Sequence, residues 1–112
     1  MKVKHSHRQG DVGLIPAVLP SAATKKTPRI SPKGAVIAEG ELTGHAHAFA
    51  NPAAVQFYMD NSQSPAVEYV EVKEEVWLVH EEHPAQKIEP GVYAYHPQQE
   101  RTLWGEVQKV RD

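Results

Sequence analysis

The chain contains no cysteine. That excludes disulfide staples, thiolate-held iron–sulfur clusters and structural zinc of the four-cysteine kind. Long apolar runs are also missing, so no segment has the 18 or so apolar residues of a membrane span. The basic N-terminus is not followed by the apolar stretch of a secretory signal. The expectation is a cytoplasmic protein without a membrane segment. Aromatic residues make up only 7% of the chain, too few for a base-stacking platform alongside a core. No P-loop, dinucleotide glycine motif or serine nucleophile elbow occurs.

What remains is 112 residues of uneven charge, with a formal net charge of −2. Residues 1–33 hold seven Lys or Arg and one acid, whereas residues 34–112 hold five basic and thirteen acidic residues. A basic N-terminal part facing an acidic body suits internal charge pairing, a protein partner or a homo-oligomer; nucleic acid is not the expected partner. The length supports one core, hence a single β domain over 1–112.

Nine prolines and seven glycines interrupt the chain and leave few windows for a helix. The runs between them are rich in Val, Ile, Tyr and Trp. They predict strands over 12–18, 35–38, 41–49, 55–59, 66–73, 76–81, 91–95 and 103–110. Such spacing points to an all-β fold, a small barrel or sandwich of mainly antiparallel strands. Asn51 followed by Pro52 leaves a short helical turn as an alternative at the start of 51–59. Residues 20–34 contain little to pack and read as one exposed loop. Residues 66–81 alternate with period two on both sides of a polar turn at 73–75, the pattern of a hairpin. That alternation puts His80 on the same face as Val76 and Leu78, the core face.

Seven histidines are many for this length. His45 and His47 are spaced i, i+2 and project together from an extended strand. His80 and His83 form a second pair, with Pro84 biasing His83 towards extended backbone. The pairs are separated by 32 residues, about three short strands, enough to bring one beside the other. Neutral imidazole suits a divalent transition metal, and Zn, Fe, Mn and Ni are all acceptable. The expected ligands are His45, His47, His80 and His83. Glu39, Glu41 and Glu82 are candidate further ligands or partners of the imidazole N–H groups, and the place of His96 stays open. The competing reading is a buried polar network in which carboxylates fix the imidazole tautomers.

The His45–His47 pair, a later histidine, and Pro90-Gly91-Val92-Tyr93 before a short strand resemble the cupins, small metal-binding double-stranded β-helix proteins. Their first motif has five residues between a glycine and HxH; here Gly40 and His45 are separated by four. The acidic ligand expected after the second histidine is replaced by Phe49 to Pro52. Gly91 and Pro97 fit the start of the second motif, but Gln99 and Thr102 stand where its glycine and histidine belong. The resemblance implies a barrel with His45 and His47 as ligands and Gly91 as a turn residue.

Two functions fit these residues. One is a small metal-binding β protein whose histidine cluster serves a binding, structural or regulatory role. The other is a metal-dependent enzyme of hydrolase or oxygenase type with a three-histidine site, in which Glu41 or Glu82 is the catalytic acid–base candidate.

Overall fold

The computed structural model describes residues 5–39, 45–97, 99–101 and 107–109. In chain order the strands are β1 (His7–Gln9), β2 (Val12–Pro16), β3 (Thr24–Lys26), β4 (Arg29–Ser31), β5 (Gly34–Glu39), β6 (Ala46–Phe49), β7 (Val55–Asp60), β8 (Val67–Val72), β9 (Val76–Val79), β10 (Gln86–Ile88), β11 (Gly91–Pro97), β12 (Gln99–Arg101) and β13 (Val107–Lys109). Six form one antiparallel sheet in the order β1-β2-β11-β8-β7-β3. Five form a second in the order β10-β9-β6-β5-β4, and β12 pairs with β13. The arrangement is an all-β, sandwich-like pair of sheets, with no α-helix among the described residues.

The core follows from strand alternation. Val12, Leu14, Phe57, Val70, Val72 and Tyr93 from the first sheet meet Ile37, Phe49, Val76, Leu78 and Ile88 from the second. Phe49 and Phe57 join the sheets edge to face, with ring centroids 5.9 Å apart. Burying a side chain of this size contributes about 2–3 kcal/mol.

Asn51 and Pro52 have the effect their types suggest. The Asn51 side chain accepts from the Ala53 N–H and starts a 3-10 turn, Pro52–Ala54, before β7 begins. Two expectations are corrected. Residues 66–81 do not form a hairpin: β8 lies in the first sheet and β9 in the second. Alternation fixes which face is buried, but not which strand is the neighbour. Here Lys73, Glu74 and Glu75 turn a corner between sheets, fastened by the Lys73 N–H donating to the Ala54 carbonyl at 2.7 Å. Residues 20–34 are largely exposed but contain β3 and β4, which pair with β7 and β5. These edge strands rest on main-chain hydrogen bonds and need no apolar anchor; their exposed basic side chains suit an edge. The predicted strand over 103–110 lies only partly within the described residues, which contain β13.

Three basic side chains of residues 1–33 meet acids at close range. Lys26 pairs with Glu68 at 3.1 Å, Arg29 with Glu39, and Lys33 with Glu81. The polarity seen along the sequence is therefore partly internal charge matching.

Asp60 closes the turn after β7. Its carboxylate accepts from the Ser62 hydroxyl at 2.6 Å, the Ser62 N–H at 2.9 Å and the Gln63 amide at 2.8 Å. The Ser62 hydroxyl foremost, then Gln63 and the Ser62 N–H, hold this carboxyl below its ordinary value of 3.8. A lowered folded-state value stabilises the fold above the ordinary value, and that contribution disappears as pH falls through the folded one. Asp60→Asn is therefore expected to flatten the fall in stability below about pH 4. Denaturant midpoints measured against pH for both proteins check this, and parallel acid limbs would count against it.

Candidate metal centre

The site begins at the turn between β1 and β2. Gly10 has φ +57°, a left-handed conformation that glycine adopts without penalty. The turn buries the side chains on both sides of it: Gln9 is 2% exposed and Asp11 3%. Polar groups this deep require partners. The Gln9 amide nitrogen donates to the Leu78 carbonyl at 2.9 Å and to the Pro84 carbonyl at 3.0 Å. Those bonds orient the amide, so its oxygen is the acceptor facing His47 Nδ1 at 2.9 Å. Nδ1 therefore donates. The other nitrogen, Nε2, lies 3.1 Å from Asp11 Oδ1. His47, on the central strand β6 and fully buried, is thus held at both ring nitrogens by the opposite sheet. Tyr95 borders the same region; burial, followed by the charges of Asp11 and Glu68, pushes its phenol up to about 12.

The second half of the site follows β9. His80 Nδ1 accepts from the Glu82 backbone N–H at 3.0 Å. This contact ends the strand in a bend, because a side chain bonding two residues ahead competes with ladder pairing. The bend brings Glu81 beside the start of β6, and its Oε1 accepts from the Ala46 N–H at 3.0 Å.

These elements bring four imidazoles together. Ring centroids lie 4.2 Å apart for His47 and His80, 4.7 Å for His80 and His83, 5.6 Å for His45 and His80, and 5.9 Å for His47 and His83. Ligand atoms of His45, His80 and Glu81 all lie within 4.8 Å of one another, a grouping that could hold a metal ion. His80 is buried, His45 half-buried and Glu81 exposed at the rim.

A family profile described as "Domain of unknown function (DUF8820)" matches residues 8–98. The chain belongs to that family. The match spans Gln9, Asp11 and all four clustered histidines. No curated protein and no solved structure matches the chain.

Within this DUF8820 domain, sequence reasoning located the histidines but not all their surroundings. His45, His47, His80 and His83 converge, and His80 lies on the core face as alternation requires. Glu82, expected as a ligand, an imidazole partner or an acid–base group, is exposed with its carboxylate 3.7 Å from His45 Nδ1. Glu81, also exposed, is the carboxylate grouped with His45 and His80: β9 ends at Val79, so strand alternation no longer governs residue 81. Glu39 pairs with Arg29. His96 is exposed on β11, and Glu41 lies outside the described residues. Gln9, Asp11 and Glu81 were not anticipated. The available signal was Gln9-Gly10-Asp11, two polar residues around a glycine directly before an apolar strand.

Gly10 has no room for a side chain. A Cβ there would lie 2.6 Å from His83 Nε2 and 3.2 Å from His47 Cε1, in addition to the unfavourable φ. Gly10→Ala is expected to cost about 1–3 kcal/mol and to displace both rings. Chemical denaturation and the imidazole signals in NMR spectra check it; wild-type stability with unmoved ring signals would contradict the packing described.

Proposed function

We propose that the DUF8820 domain is a divalent-metal-binding protein whose ion is held by His45, His80 and Glu81, with His47 and His83 closing the site from inside. The observation that carries this reading is the convergence of three ligand atoms from two chain segments within 4.8 Å, beside two further imidazoles. Two neutral imidazoles and one carboxylate suit Zn, Fe, Mn or Ni, and three protein donors leave coordination positions for water or a small ligand. The chemistry agrees with the cupin resemblance in using His45 and a later histidine. It differs at His47, whose two nitrogens are engaged by Gln9 and Asp11. Those partners make His47 a buried support for the site in this arrangement.

His80 also sets a condition on uptake. With Nδ1 accepting from Glu82, the proton of the neutral ring is on Nε2. Coordination at Nε2 requires that proton to move to Nδ1, and coordination at Nδ1 uses its lone pair directly; either way the hydrogen bond from the Glu82 N–H is given up. Metal affinity should therefore fall on acidification, since imidazole ligands bind ions in the deprotonated form.

Untagged protein dialysed against zinc is expected to retain about one equivalent per chain and to melt at a higher temperature. His80→Ala should abolish both effects, whereas His5→Ala, outside the cluster, should leave them intact. Elemental analysis and thermal melts read the result. Absence of both uptake and a melting shift across the four candidate metals would overturn the reading and leave the histidines as an internal hydrogen-bonded network.

A further inference from the structure

Glu81 has a second partner besides the Ala46 N–H. Its Oε2 pairs with the ammonium of Lys33, a nitrogen shielded from solvent at the edge of the histidine cluster. Lys33 is not a wandering surface lysine. The Ser31 hydroxyl accepts from the Lys33 N–H at 3.1 Å and tightens the turn between β4 and β5. The next residue, Gly34, has φ +135° and lies so close to β6 that a Cβ would clash with the Phe49 carbonyl. The turn therefore cannot slide, and it delivers the Lys33 stem to a fixed place above the cluster.

We infer that Lys33 is a built-in competitor of the metal, a cation that holds the Glu81 carboxylate and must yield it when a divalent ion binds. The inference rests on the metal reading above and adds a regulatory element to the same site. Lys33 and the ion compete for one oxygen, and each repels the other across a partly dehydrated gap where charge is weakly screened. The ammonium satisfies Glu81 without metal, keeping the bend after β9 in place. It also sets a threshold, so that a weakly held cation does not displace it. Neutralising Lys33 should then strengthen metal binding, the reverse of what removing a structural support would do.

The test is zinc titration of the untagged full chain by calorimetry, comparing wild type with Lys33→Gln, Lys33→Met and Lys33→Arg. The expected result is at least about fivefold tighter zinc binding for Gln and Met, the equivalent of about 1 kcal/mol. Arg, which keeps the charge, should stay within about twofold of wild type. Lys33→Met retains the apolar stem, so it separates loss of charge from loss of packing if Lys33→Gln melts early. Wild-type binding with unchanged or weaker affinity in folded Gln and Met variants would overturn the competitor role while leaving the metal reading intact. No zinc binding by any of the four proteins would remove both.

Discussion

The two sheets are tied together at one end by the hydrogen bonds of Gln9. Its amide nitrogen reaches the Leu78 and Pro84 carbonyls in and beyond β9, and its oxygen meets His47 on β6. One side chain of the first sheet thus holds two segments of the second. Asp11 completes the arrangement from the other side of Gly10. Because the donors and acceptors are buried, their geometry is enforced: losing one partner strands another polar group in the interior. The positions of His47, Pro84 and the His80–His83 bend all follow from this clamp.

The clamp also explains why a polar cluster persists in a small domain that has little apolar material to spare. A buried carboxylate beside an imidazole is stable only when the remaining lone pairs and protons are used. Gln9 satisfies this by facing three ways at once. Leucine in its place would leave His47 Nδ1 and two carbonyls to find other partners. The apolar core beneath, centred on Phe49, Phe57 and Leu78, supplies cohesion; the clamp selects which alignment of the sheets that cohesion favours.

Much of this was legible in the sequence, for identifiable reasons. Breakers and β-branched residues marked most strands, and period two placed Val76, Leu78 and His80 on the core face. The i, i+2 and i, i+3 histidine pairs pointed to one cluster. Pairing was less legible, because alternation in β8 and β9 serves a hairpin and a corner between sheets equally well. Glu81 was missed because the bend that brings it beside His45 and His80 depends on His80 bonding to the backbone beyond it. Gln9 and Asp11 were missed because neither residue type is ordinarily buried. Only the conformation of Gly10 and the opposite sheet make both side chains point inward.

The strand order has a consequence for how the chain matures. Among the described strands β2 pairs with its local partner β1 and with the distant β11, where Val12–Pro16 lie opposite Tyr93–Pro97. Pairing so distant in sequence is closed slowly, since the intervening chain must first be confined. The hairpin that carries Gln9 and Asp11 precedes β11 by most of the strands, so its place in the sheet is completed only once those strands exist. Until then the chain can assemble β7 with β8, and β5 with β6, while β2 lacks its β11 neighbour. Closure of the histidine cluster thus waits on contacts between segments far apart in sequence.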